Sequence, residues 1–212
     1  LIHTRTAWSD YFTGTPTLIQ SSVFGTRQTS SATNLHVLNC LFRSITSTSY
    51  GGAFYSTSVS FLLIDSTSFF SCKTSDRIGG AIYFNNNGGQ SVLNKVCGYD
   101  CCSTYTGSSD LYGNFAWMYV NNAALSKNYA NYSSVVRCVT ENSRSYYLFY
   151  LSRGRGYCQS VNVSMDKCYY SVFLCDPYGD PNSVTCSLTY SSFTDNIAIG
   201  YICIWLNTGG AK

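Results

Sequence analysis

The chain has 212 residues, 16% of them aromatic and only 11% charged. That composition excludes intrinsic disorder and, being poor in strong helix formers, long helices. A net charge of +3 from scattered basic residues is not the basic stripe of a nucleic-acid binder, and no apolar run approaches the ~18 residues of a membrane span; neither partner is expected.

Residues 1–34 carry weak patterning, with Val23-Phe24 as one short apolar step, and read as a less regular N-terminal coil. The chain opens without Met or a signal peptide and reads as a processed form or part of a longer protein. Regularity begins at Leu35, where Leu35, Val37, Cys40 and Phe42 interleave with polar residues and slip by one as at a bend. Gly51-Gly-Ala-Phe54 follows, and Gly79-Gly-Ala-Ile82 repeats it 28 residues later. Gly51, Gly52, Gly79 and Gly80 therefore mark turns that need positive φ or close backbone approach. A third copy lies at Gly209-Gly-Ala211.

A second motif is a large apolar residue, two variable ones, then Asn or Cys. Its copies are Phe69–Cys72, Tyr99–Cys102, Val139–Asn142, Met165–Cys168 and Phe193–Asn196, with Phe42–Ile45 degenerate. The expected ladder is Cys72, Cys102, Asn142, Cys168 and Asn196. The starting residues lie 27, 30, 40, 26 and 28 apart, and the long step implies a loop insertion near 121–131. Seven residues before each start lie Leu35, Leu62, Val92, Tyr132, Cys158 and Cys186. Columns that keep their chemistry at a period of about 24–33 residues are what stacked coils require. The fold class is all-β, a right-handed parallel β-helix (solenoid) of about six to seven irregular coils, one domain over 1–212.

The paired motifs GGA[I/L/V] and FxxN, at Gly51–Phe54, Gly79–Ile82 and Phe193–Asn196, resemble those of the polymorphic outer-membrane protein repeat family. The similarity covers roughly residues 35–212. It implies a pectin-lyase-like right-handed β-helix exposed on a cell surface, with an adhesin role. Cysteines in the Asn column and no visible membrane barrel are departures from that pattern.

Eleven cysteines without a CxxC pair, and His3 and His36 far from paired cysteines, give no zinc pattern. No metal or cofactor is expected. Disulfides in an oxidising compartment are the reading, pairing Cys158 with Cys186, Cys175 with Cys203 and Cys72 with Cys102 across stacked coils. The sequons at Asn131 and Asn162 fit an extracellular or cell-surface location.

Chemistry is sparse. Asp10, Asp65, Asp76, Asp100 and Asp110 occur singly, and Asp176 and Asp180 flank a turn. Glu141, Lys167 and Asp195 would stack as an alternating-charge ladder. Arg153-Gly-Arg155 reads as a solvated loop. Dense aromatic runs, Tyr146–Tyr150 and Tyr201–Trp205, must turn half their side chains outward. No catalytic residue is assigned. The expected function is an extracellular structural or adhesive module, self-associating end to end through its end coils into filaments, with a glycan or a cell-surface protein as a further partner. The alternatives are a carbohydrate-active β-helix (polysaccharide lyase or glycoside hydrolase) and a glycan-binding module.

Overall fold

A computed structural model describes residues 7–107, 112–139, 146–177, 185–200 and 203–206. These residues are all-β, with parallel strands in stacked sheets. Three sheets have seven strands each. The first holds Thr17–Gln20, Asn34–Leu38, Phe61–Asp65, Gln90–Asn94, Asn128–Asn131, Gly156–Gln159 and Cys186–Thr189. The second holds Val23–Phe24, Leu41–Arg43, Ser68–Phe70, Cys97–Tyr99, Ser134–Val136, Asn162–Ser164 and Ser192–Thr194. The third holds Gln28–Thr29, Phe54–Ser56, Ile82–Asn85, Ala116–Tyr119, Tyr147–Ser152, Ser171–Asp176 and Ile204–Leu206. Each circuit of the chain visits the first, second and third sheet in turn. Between the second and third, Thr46–Ser47, Lys73–Thr74 and Cys102–Ser103 pair as a short sheet. No helix among the described residues is long and apolar enough to cross a membrane.

Side chains alternate between inside and outside along each strand, so residues in register stack into columns. Leu35, Leu62, Ser91 and Asn128 form one inner column of the first sheet, and Val37, Ile64, Leu93, Ala130 and Cys158 the next. In the second sheet the inner column is Phe24, Phe42, Phe69, Gly98, Val135, Val163 and Phe193. Phe42 and Phe69 stack at 4.7 Å and 8°. At Gly98 the column has no side chain. Phe115 fills the gap from the third sheet: a Cβ on Gly98 would collide with its ring. Packing to solid density tolerates an absent ring only when another occupies its volume.

Spacing is rigid over one part of each circuit. Leu35, Phe42 and Ile45 are seven and three residues apart, and so are Leu62, Phe69 and Cys72; Ser91, Gly98 and Cys101; Asn128, Val135 and Cys138; Gly156, Val163 and Asp166; and Cys186, Phe193 and Asn196. Two bends frame this segment. The first turns on Ser21, Asn39, Ser66, Lys95, Tyr132, Ser160 and Tyr190, the second on Ser44, Ser71, Asp100, Arg137, Met165 and Asp195, all with φ between 49° and 58°. Left-handed backbone is costly for non-glycine residues and needs support from its surroundings.

Where the residue after the bend is polar or Cys, its side chain supplies that support. At the first bend the hydroxyls of Ser22, Thr67, Ser133 and Ser191 donate to the carbonyl two residues back, and the Cys40 thiol does the same. At the second bend a chain of bonds runs along the stack. Cys72 N–H donates to Cys101 Sγ (3.4 Å), Cys101 N–H to Cys138 Sγ (3.3 Å), Cys138 N–H to Asp166 Oδ1 (2.5 Å) and Asp166 N–H to Asn196 Oδ1 (3.0 Å).

This ladder differs from the expected one. Cys72 and Asn196 occupy it, but Cys101 stands in place of Cys102 and Asp166 in place of Cys168, with Cys138 as the rung between; Asn142 lies outside the described residues. A pattern with a large apolar start and an Asn or Cys end slips wherever Gly98, Val135 or Val163 holds the start. Connection 120–127 is longer than its counterpart 86–89 one circuit earlier and overlaps the insertion expected near 121–131, of which Asn128–Asn131 is a first-sheet strand. Residues 17–29 form a first circuit in register with the rest.

Gly51 and Gly79 take φ of 69° and 68° at the turn into the third sheet, as does Gly113 at 58°. Behind them Gly52 N–H donates to the Gly80 carbonyl (3.0 Å). A Cβ on Gly80 would collide with the Asn114 carbonyl and the Cys102 backbone, whereas Gly25 has nothing within 4 Å. Gly80→Ala should therefore cost about 2 kcal/mol or more, and Gly25→Ala less than about 0.5 kcal/mol. Denaturant unfolding of both variants measures this.

Candidate functional site

Every second residue of the third sheet faces outward, and there the sequence places aromatics. Tyr55, Tyr83, Trp117 and Tyr150 are in register on four consecutive strands, continued by Leu174 and Trp205. Tyr55 and Tyr83 stack at 5.3 Å and 8°, and Trp117 meets Tyr150 edge-on at 4.4 Å. Tyr112, Tyr146, Tyr147 and Tyr170 widen the face, with Tyr146 and Tyr170 stacked at 4.1 Å. The guanidinium of Arg27 sits 4.5 Å over the Tyr55 ring and that of Arg153 4.2 Å over Tyr119. Arg153 thus belongs to the aromatic face as well as to its loop. Burial pushes the Tyr150 phenol up to about 12 and raises Tyr83 and Tyr147, so these three stay un-ionised at neutral pH.

The chemistry follows from ring orientation. Rings stacked on one another occupy each other's faces and turn their edges and hydroxyls outward. A pyranose ring stacks on an open aromatic face, whereas a protein surface can use edges, hydroxyls and the two guanidinium groups.

The other two outer faces differ. Across the first sheet lies the segment around Trp8 and Phe12, which covers Leu63 and Val92. Beside it a groove of about 340 Å³ is lined by Tyr11, Tyr129, Asn131, Tyr157 and Gln159 among others. The second sheet carries an open groove of about 520 Å³ between Leu41, Arg43, Phe70, Cys97 and Tyr99. Neither groove is lined by a carboxylate.

The acids are dispersed. Asp100 pairs with Lys73 at 2.9 Å on the surface. Asp65 is buried and accepts from Asn94 Nδ2 at 2.9 Å. Lys167 is in register with Ile197, and Asp195 sits at a bend, so these two do not stack; Glu141 lies outside the described residues. Among the described residues no group of three His, Cys, Asp or Glu side chains is placed to hold a metal ion. His36 lies in the first sheet near Trp8, with burial lowering its pKa; His3 is outside the described residues. Asp166 is the acid in the least hospitable place. One oxygen accepts from Cys138 N–H, the other is buried without a partner, and burial pushes its pKa up to about 7.

The cysteines are thiols in this structure, and the expected pairs are not in register. Cys158 faces Leu188, and Cys186 faces Gly156. Cys175 faces Leu151 and Leu206, while the Cys203 carbonyl accepts from Val172. Cys102 faces Lys73, one position beyond the Cys72–Cys101 rung. Expecting pairs from equal spacing assumed equal circuits, and the circuits differ in length outside the rigid segment. Of the sequons, Asn131 is half-buried, bonded to the Tyr11 hydroxyl and the Gln159 N–H, whereas Asn162 is exposed and accepts from Ser192. The aromatic face itself was legible only as dense runs. Its register is legible only in part: Tyr55 and Tyr83 each close a Gly-Gly-Ala copy, 28 residues apart, whereas Trp117 and Tyr150 follow no such copy.

No family model matches the chain, and no curated protein or solved structure matches it.

Two predictions follow from the buried polar groups. Because the native pKa of Asp166 is raised, the native state holds its proton more tightly, and stability falls as pH rises from the ordinary carboxylate value to about 7. Asp166→Asn, which copies the Asn196 rung, should gain roughly 1–3 kcal/mol at pH 8, and the gain should vanish near pH 4; urea unfolding at both pH values reads it. Maleimide labelling of the reduced native protein should modify exposed Cys97 first and half-buried Cys186 and Cys203 more slowly. The eight buried cysteines should react only on unfolding.

Proposed function

We propose that the chain is a right-handed parallel β-helix acting as an extracellular or cell-surface structural and adhesive module, which engages a protein partner through its third-sheet face. The observation that carries this reading is the aromatic face, continuous over successive circuits and edged by Arg27 and Arg153. An aromatic and arginine surface of this kind suits a protein interface, where such residues dominate binding energy. The sequence resemblance to surface-exposed repeats points the same way.

Supporting the β-helix reading are the fixed order of sheets in each circuit and the parallel register throughout. End-to-end association of copies remains part of the proposal.

The test uses one labelled preparation on a protein array and a glycan array. The reading predicts protein-array binding that falls at least about tenfold in Tyr147→Ser/Tyr170→Ser, as for loss of hot-spot residues, with the thermal midpoint little changed. Glycan binding abolished by the same substitutions would replace the protein partner with a sugar. Turnover of a polysaccharide abolished by replacing one acid would overturn the binding role altogether.

A further inference from the structure

We propose that Cys175 and Cys186 form a reversible disulfide that ties the third sheet to the following strand of the first sheet. The two thiols converge on Gly156. Cys186 is the register partner of Gly156 within the first sheet. Cys175 approaches from the third-sheet strand Ser171–Asp176 and points into the core, where it is fully buried. A Cβ on Gly156 would collide with Cys175 Sγ and lie 3.8 Å from Cys186 Sγ. The space left by the missing side chain is what the two sulfurs share. The Cys175 thiol donates to Cys186 Sγ, and Cys158 is its other thiol partner.

Accessibility decides which thiol starts the reaction. Cys158 and Cys175 are buried, and Cys186 is half-buried. The hydrogen bond from Cys175 also favours the Cys186 thiolate, the nucleophilic form. With a small disulfide such as oxidised glutathione as the oxidant, Cys186 thiolate attacks one sulfur. The Cys186–glutathione bond forms, the glutathione disulfide breaks, and one glutathione thiolate leaves. Cys175 then loses its proton to that thiolate and attacks Cys186 Sγ. The Cys175–Cys186 bond forms and the second glutathione departs as thiolate. Two thiols are oxidised and one glutathione disulfide is reduced to two thiols.

Cys97 does not compete for this pairing. It is exposed on the outer face of the second sheet and can only take up glutathione or bond another chain.

The experiment exposes the reduced full-length chain to oxidised glutathione under native conditions, digests it without reduction and maps linked peptides by mass spectrometry. A Cys175–Cys186 link is expected, preceded by a mixed disulfide at Cys186. The thermal midpoint should rise, and dithiothreitol should reverse the rise. Cys186→Ser and Cys175→Ser should each abolish the link, and Cys158→Ser should leave it. If a variant fails to fold, the wild-type map alone decides. A link from either residue to Cys158 or Cys203, or both thiols left free while Cys97 is glutathionylated, would overturn the proposal.

Discussion

After the bends that precede Cys72, Cys101, Cys138 and Asp166 the chain leaves a backbone N–H directed along the stack, and leaving such a buried group unmet costs about 1–3 kcal/mol. In this protein the next circuit meets that demand with a side chain. Cys101 serves Cys72, Cys138 serves Cys101, Asp166 serves Cys138, and Asn196 serves Asp166. Matching bonds at the first bend, from Cys40 N–H to Thr67 Oγ1, Val96 N–H to Ser133 Oγ and Val161 N–H to Ser191 Oγ, hold the turn between the first and second sheets, so both bends are tied and the seven-and-three spacing recurs unchanged. Beyond the second bend the length varies: connection 120–127 is longer than its counterpart 86–89 one circuit earlier.

The same requirement explains the unusual composition. Thiol, hydroxyl, carboxylate and amide side chains all can accept an N–H, so Cys, Ser, Thr, Asp and Asn exchange places after the bends. Most thiols at these positions also donate back to their own chain: Cys40 to Leu38, Cys72 to Phe70, Cys101 to Tyr99 and Cys138 to Val136. A disulfide there would remove that donor. Seven of the eleven cysteines therefore fall into two groups, the hydrogen-bonding rungs Cys40, Cys72, Cys101 and Cys138 at the bends and the convergent set Cys158, Cys175 and Cys186 around Gly156. Asp166 is the rung that fits least well, because its chemistry matches the position only when protonated.

Much of the architecture was legible in the sequence and the site was not. Phe42, Phe69, Cys72, Phe193 and Asn196 fall in the columns their spacing implies, and Gly51 and Gly79 sit at turns of positive φ. The reading lost register between them for a physical reason. Gly98 leaves its column position empty because Phe115 fills it from another sheet, a contact with no trace in local sequence. Asp166 was missed because the ladder was sought as Asn or Cys. Equal spacing of cysteines suggested disulfides, yet pairing depends on the variable connections, and these place Cys186 beside Gly156. The outer aromatic column is legible only where Tyr55 and Tyr83 follow the Gly-Gly-Ala copies; Trp117 and Tyr150 follow none, and their place depends on register across circuits.

If bend hydrogen bonding holds the stack, the rung at Cys101 must be polar rather than merely the right size. The direct measurement is the unfolding free energy of Cys101→Ser and Cys101→Val. The account predicts that Ser stays within about 1 kcal/mol of the parent chain, while Val, apolar and of suitable volume, loses roughly 1–3 kcal/mol by stranding the Cys72 N–H. A Val variant as stable as the parent chain, with the Ser variant weaker, would contradict it and make these cysteines apolar filler.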